Sequence, residues 1–144
     1  MEDLKVLFVD DEIDFLETLM KRMKKRGVSV AGVGSGEQAL DYLSEQPVDV
    51  IVLDVRMPGI GGINTLREIK KIDPLMEVIM LTGHASIEAA IEGMQLGAFD
   101  YLLKPAHFGE LTAKLESARK RKDEQAERIR KAEVKLLLRK SVDL

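Results

Sequence analysis

A chain of 144 residues with no cysteine has room for one domain with a full hydrophobic core, and it can form no disulfide, thiolate metal site or thiol nucleophile. Apolar residues make up 45% and charged residues 33%, the balance of a soluble globular protein, and no apolar run approaches the roughly 20 residues needed to cross a bilayer. The net charge of −3 conceals an asymmetry: residues 1–118 carry 12 Lys/Arg against 20 Asp/Glu, a net of −8, and residues 119–144 carry 10 against 5, a net of +5. An acidic body of this kind argues against nucleic-acid binding by the domain, because phosphate neutralisation needs clustered cations.

The N-terminus, Met1-Glu2-Asp3-Leu4-Lys5, is acidic and leads straight into a strand, so it does not read as a signal peptide and a cytoplasmic protein is expected. From there strand and helix alternate five times, which predicts a parallel sheet covered on both faces. Strands are predicted near 4–9, 28–33, 48–54, 77–82 and 98–103. Most lack period-2 alternation, as expected of strands buried on both faces. The first helix, about 12–26, sets Leu16, Leu19, Met20 and Met23 on one stripe and stops at Gly27. The second opens at Ser35, with Gln38 completing a capping box, and buries Ala39, Leu40 and Leu43. A third carries Ile63, Leu66 and Ile69 and ends before Pro74. The fourth places Ile87, Ala90, Ile91 and Met94 at helical spacing and stops at Gly97. A fifth begins near His107 and meets no stop signal before the C-terminus. The seven methionines are expected mostly on helical stripes, as core filler.

In a parallel α/β sheet the carboxyl ends of the strands share one edge, where ligands bind. Val6-Leu7-Phe8-Val9 ends in Asp10-Asp11, and Val50-Ile51-Val52-Leu53 ends in Asp54, followed by Val55-Arg56-Met57-Pro58-Gly59. Val78-Ile79-Met80-Leu81 ends in Thr82-Gly83, and Tyr101-Leu102-Leu103 ends in Lys104-Pro105. Three carboxylates, a hydroxyl and an ammonium therefore converge. Magnesium takes one or two carboxylates plus waters and a phosphate, and Asp10, Asp11 and Asp54 suit it. Without a cation they would repel, by roughly 4 kcal/mol for two charges 4 Å apart at an effective dielectric near 20. Asp10 and Asp11 also suit a helix N-terminus, where acids favour the dipole. Asp54 is the candidate nucleophile, since a carboxylate can accept a phosphoryl group. Lys104 can pair with phosphoryl oxygens, and Thr82 supplies a hydroxyl donor.

Other motifs carry less. Gly59, Gly61 and Gly62 lack the spacing of a phosphate-binding P-loop and are expected to form a mobile turn. Gly32-Val33-Gly34-Ser35-Gly36 is no dinucleotide fingerprint. His84 and His107 have no partner ligands at metal spacing and are expected to face solvent.

With these residues in place, the chain resembles the receiver domain of bacterial two-component response regulators over about residues 3–120. The resemblance rests on Asp10-Asp11, Asp54 with Pro58-Gly59, Thr82-Gly83, Tyr101 and Lys104-Pro105, in the family's order and approximate spacing. It implies a flavodoxin-like five-stranded parallel sheet of order 2-1-3-4-5 with an extended C-terminal helix. It further implies that Asp54 takes a phosphoryl group from a phosphohistidine of a sensor histidine kinase. Mg²⁺ would then lie among Asp10, Asp11, Asp54 and the backbone carbonyl of Arg56. Lys104 would contact the phosphoryl group, Thr82 would hydrogen-bond it, and Tyr101 would rotate into the space Thr82 vacates. That shift would remodel the face made by the fourth helix, fifth strand and fifth helix. Leu81-Thr82-Gly83-His84-Ala85-Ser86 and the long last helix resemble the nitrogen-regulation class. Ala106 departs from the bulky apolar residue of many relatives, and a looser start of the last helix is expected.

Two other functions fit these residues less well. Enzymes resembling haloacid dehalogenases need a second acid two residues after the nucleophile, and here that position is Arg56. A flavin carrier would want a Ser/Thr-rich loop after the first strand, where Asp10-Asp11-Glu12 would repel the phosphate. A phosphoacceptor signalling domain with only self-directed chemistry, not an enzyme, is the expectation. Residues 1–118 form the domain in this reading and 119–144 a basic helical extension. The extension reads either as a solvated helix or as a weak coiled coil, since Leu111, Leu115, Ala118, Lys122, Gln125, Ile129, Ala132 and Leu136 follow 4-3 spacing. A homodimer through that helix or through the switching face is one expectation. Truncation after Ala118 is expected to leave the fold nearly intact.

Overall fold

The computed structural model describes residues 3–83 and 87–142. Ten elements follow in alternation: β1 (Lys5–Val9), α1 (Ile13–Lys25), β2 (Ser29–Val33), α2 (Gly36–Glu45), β3 (Val50–Asp54), α3 (Gly61–Ile72), β4 (Glu77–Thr82), α4 (Ile87–Gln95), β5 (Asp100–Leu103) and α5 (Phe108–Val142). All strand pairings are parallel and the order is β2-β1-β3-β4-β5. This is the parallel sheet covered on both faces that the alternation predicted, in the flavodoxin-like order that the resemblance implied.

The apolar runs hide a division of labour. Val6, Phe8, Val50, Val52, Ile79 and Leu81 face one way, onto Leu16, Leu19 and Met23 of α1 and Leu111, Leu115 and Ala118 of α5. Leu7, Val9, Ile51, Leu53, Val78 and Met80 face the other way, onto Ala39 of α2 and Leu66 and Ile69 of α3. Both faces are buried, so period two is present in direction and absent in hydropathy. The central strands β3 and β4 are buried along their whole length.

The helix boundaries follow local chemistry. Gly27 and Gly97 adopt positive φ (80° and 102°), which glycine tolerates and which ends α1 and α4. Ser35 caps α2 by accepting the Gln38 N–H at 3.2 Å. The capping box is displaced by one residue: Gln38 Oε1 accepts the N–H of Gly34 at 2.8 Å, not that of Ser35. In α4 only Ala90 and Gly93 are buried, and Ile87, Ile91 and Met94 stand exposed. A Cβ at Gly93 would collide with Met80 Sδ, so the helix lies close on β4 along its small residues and turns its large ones outward. The methionines are only partly helical filler: Met76 and Met80 are buried in a loop and in β4, and Met94 is exposed.

The last helix belongs to two environments. Up to Ala118 its apolar seam is buried in the first core. Arg121 then pairs with the buried Glu77 through two hydrogen bonds, and Lys122 Nζ donates to Val48 O at 2.9 Å. The body therefore holds the helix four residues beyond Ala118, through two of the cations that the charge break assigned to the extension. Past that point Ile129, Val134, Leu136, Leu137 and Leu138 are exposed. Ala106 packs partly buried against the core, and Phe108 closes it beneath the guanidinium of Arg22, 4.2 Å from the ring centroid.

Candidate functional site

Backbone register brings the four strand ends together. Asp10 N–H donates to Val33 O at 3.0 Å, Val55 N–H to Leu81 O at 3.1 Å and Lys104 N–H to Thr82 O at 2.7 Å, so each strand end is tied to its neighbour. Asp10, Asp54 and Thr82 are 2%, 5% and 0% exposed. Lys104 follows β5 directly, before a cis peptide bond to Pro105.

The ammonium of Lys104 is the hub. Its Nζ lies 2.8 Å from Asp10 Oδ2, 3.0 Å from Glu12 Oε1 and 3.5 Å from Asp54 Oδ2, and 4.8 Å from the centroid of the Phe15 ring. Burial works against that ammonium, but contacts with Asp10 and Glu12 and the charge of Asp54 outweigh it and raise its pKa above the ordinary lysine value. Asp54 moves in the opposite sense. Burial first, then the negative charge of Asp10, pushes its pKa up to about 6 against the pull of Lys104 and the Arg56 N–H. The Arg56 N–H reaches Asp54 Oδ1 only at 3.4 Å.

Among the described residues, two buried polar atoms are left without a directed hydrogen bond, and both are here. Asp10 Oδ1 accepts the Glu12 N–H at 2.9 Å, but Oδ2 meets Lys104 only as an ion pair. Thr82 Oγ1 has no hydrogen-bond partner among the described residues. Unsatisfied buried groups are costly and call for an explanation. Carboxylate oxygens of Asp10, Glu12 and Asp54 lie within 4.8 Å of one another, the hard-oxygen donor set that suits a Mg²⁺ ion.

The remaining expected residues sit around this core. Asp11 is exposed, outside the three-carboxylate cluster, and lines a surface depression with Val55, Arg56, Met57 and Pro58. It is still near enough to Asp54 to help raise its pKa. Tyr101 is 41% exposed, on an open groove of about 560 Å³ shared with Leu103, Lys104, Pro105, His107, Glu110 and Lys114. His84, Ala85 and Ser86 lie outside the described residues. Gly59 and Gly61 have φ of 82° and 77°, and a Cβ on Gly62 would fall 2.7 Å from Val55 Cα. Close approach of backbone thus accounts for Gly62.

Glu12 escaped the sequence reading as a partner of Lys104; its one signal was its place as third acid in the run Asp10-Asp11-Glu12. Glu37 gave no signal, yet its Oε1 accepts the Ile60 N–H at 2.8 Å and so ties α2 to the loop after Asp54.

A five-stranded parallel sheet of order 2-1-3-4-5 with a buried acid, hydroxyl and lysine at its strand ends defines a class of α/β signalling domain. The sequence pattern of the response regulator receiver domain matches residues 6–116, and the chain belongs to that family. Transcriptional regulatory protein ZraR of Escherichia coli K12 is 41% identical over 117 residues, 81% of this chain and 26% of that protein. The DNA-binding transcriptional regulator NtrC of Klebsiella pneumoniae is 37% identical over 110 residues, 76% of this chain and 24% of that protein, in keeping with the expected likeness to the nitrogen-regulation class. The crystal structure of a receiver domain protein from Clostridium thermocellum superposes with a TM-score of 0.80 at 37% identity, covering 83% of this chain and 97% of that one. The chain spans about a quarter of the length of the curated relatives it matches. No described helix is long and apolar enough to cross a membrane.

Proposed function

We propose that Asp54 accepts a phosphoryl group from a phosphohistidine of a sensor histidine kinase in a Mg²⁺-dependent reaction, and that the modification resets the α4-β5-α5 face. The observation that carries this reading is Lys104 held between Asp10 and Asp54, both buried, with the Thr82 hydroxyl unpartnered on the neighbouring strand. An Asp54 oxygen attacks phosphorus as the bond to the histidine nitrogen breaks, and the imidazole leaves neutral after taking up a proton. Asp10, Asp11, Asp54 and the Arg56 carbonyl would hold Mg²⁺, with Glu12 at the rim. The ion supplies positive charge that offsets repulsion among the acids and the incoming phosphoryl oxygens. Asp54 with a raised pKa is partly protonated in acid, and only its anion is the nucleophile.

Phosphorylation adds oxygens that Lys104 can pair with and that Thr82 Oγ1, without a hydrogen-bond partner among the described residues, can donate to. Movement of Thr82 toward the phosphoryl group vacates space on β4, and Tyr101, which now sits outside, moves in. The face that changes already displays Ile87, Ile91, Met94, Tyr101 and Leu103 to solvent, the apolar surface a partner or second copy would cover. The exposed apolar residues of the α5 extension offer a second route to a homodimer. The domain acts as a cytoplasmic phosphoacceptor with only self-directed chemistry and makes no direct nucleic-acid contact.

Beryllofluoride, a phosphoryl mimic, tests the switch. With Mg²⁺ it should shift amide resonances around Asp54, Thr82 and Lys104 and extend to Tyr101. Lys104→Ala should bind Mg²⁺ yet lose the shifts at Tyr101. Equal shifts in both proteins would remove the coupling role given to Lys104.

A further inference from the structure

We infer that Glu37 is a positioning residue for the phosphoacceptor site: from the first turn of α2 its carboxylate fixes the β3–α3 loop, residues 55–60, which carries the Arg56 carbonyl. The inference rests on the metal reading above and adds to it a residue that touches neither the ion nor the phosphoryl group.

The loop is tied at both of its ends, and at Ile60 the side chain of Asn64 also donates to the backbone carbonyl at 2.9 Å. At its start Val55 N–H is held by Leu81 O at 3.1 Å, and Val55 O accepts the Gly62 N–H at 3.1 Å. The Arg56 N–H donates to Asp54 Oδ1 at 3.4 Å. At its end Ile60 is the N-cap position of α3, yet its side chain cannot cap the helix. The first N–H groups of a helix lack intrahelical partners, and an acceptor must come from elsewhere. Glu37 Oε1 is that acceptor for Ile60, 23 residues distant in sequence, at 2.8 Å.

The surrounding backbone is shaped for this contact. Gly59 has φ of 82°, and a Cβ there would fall 2.6 Å from Glu37 Oε1. A Cβ on Gly36 would fall 2.9 Å from Ile60 Cγ1 and would collide with Thr65 Oγ1. Two glycines, one on each side, thus let α2 and the loop approach closely enough for the carboxylate to reach across. Its own backbone N–H first, then the Ile60 N–H, holds Glu37 below the ordinary carboxylate range, so the acceptor stays charged. The loop that presents a carbonyl to the metal is therefore clamped at one end by the sheet and at the other by α2. Positioning of this kind matters for Mg²⁺, which tolerates little departure from its coordination geometry.

The test is Mg²⁺ titration of wild type, Glu37→Ala and Glu37→Gln, followed by amide NMR, with hydrogen exchange of the Ile60 N–H measured separately in EDTA. Loss of one charge-assisted bond at an exposed site should raise the Mg²⁺ dissociation constant of Glu37→Ala about threefold and speed Ile60 exchange by a similar factor. Glu37→Gln keeps an acceptor oxygen and should stay within about twofold of wild type. An alanine variant that binds Mg²⁺ as tightly as wild type overturns the inference alone. So does a glutamine variant as impaired as alanine, because the effect would then follow charge and not the contact. A wild type that binds no Mg²⁺ overturns both this inference and the metal reading.

Discussion

The two ends of the central strands each bury an acid, and the acids are treated differently. Glu77 opens β4 at 1% exposure, and both its oxygens meet the Arg121 guanidinium, which stacks on Phe99 at 4.6 Å. Asp54 closes β3 at 5% exposure with one cation at 3.5 Å, shared with Asp10 and Glu12, and one long backbone contact. A buried acid whose oxygens are all matched holds a structure together. A buried acid left short of partners keeps its reactivity and its capacity to take a ligand. Burial alone does not distinguish structure from chemistry; satisfaction does.

Breaking the satisfied end should have the largest effect on stability. Arg121→Ala would strand Glu77 in the interior and cost about 3 kcal/mol, the low end for a broken buried pair because Arg121 is itself partly exposed. Truncation after Ala118 removes the same guanidinium and should cost as much, whereas truncation after Lys122 should cost almost nothing. Urea unfolding of the three proteins would decide this, and equal midpoints for the two truncations would place the body's limit at Ala118.

At the other end a substitution should stabilise. Asp54 has a folded pKa of about 6 against an ordinary value of 3.8, so the folded state prefers its neutral form. That preference costs nothing below the unfolded pKa, and stability is lost as pH rises through 6. Asp54→Asn escapes the loss. In EDTA at pH 7.5 it should exceed wild type by roughly 2–3 kcal/mol, a difference that fades below about pH 4. A pH-independent difference would show that burial of the charge is not its source.

Metal should produce a smaller change. Mg²⁺ at ten times its dissociation constant should stabilise wild type by about 1.4 kcal/mol. Asp10→Asn should blunt that gain more than Asp11→Asn, because Asp10 is buried within the carboxylate cluster and Asp11 is exposed outside it. The reverse order in thermal melts would make Asp11 the stronger ligand.

Much of this was legible in the chain. The apolar runs gave the strands, and the residues just after them gave Asp10, Asp54, Thr82 and Lys104, because a parallel sheet collects its strand ends on one edge. What local pattern could not carry was long-range pairing. Glu77 and Arg121 are 44 residues apart, and Glu37 and Ile60 are 23 apart, so neither contact leaves a mark in periodicity. Helical spacing on α4 gave the helix but not its buried face: Gly93 lets that helix lie on Met80 along its small residues, and the large ones face outward. The charge break at residue 119 gave no sign that Arg121 and Lys122, just beyond it, bond to the body.

The most direct test of the central claim is intact mass after incubation with acetyl phosphate and Mg²⁺, for wild type, Asp54→Asn and Arg121→Ala. Wild type and Arg121→Ala should each gain one phosphoryl group at a temperature where both are folded, and Asp54→Asn should gain none. A phosphoryl group on Asp54→Asn at the wild-type rate would move the acceptor elsewhere and contradict the account.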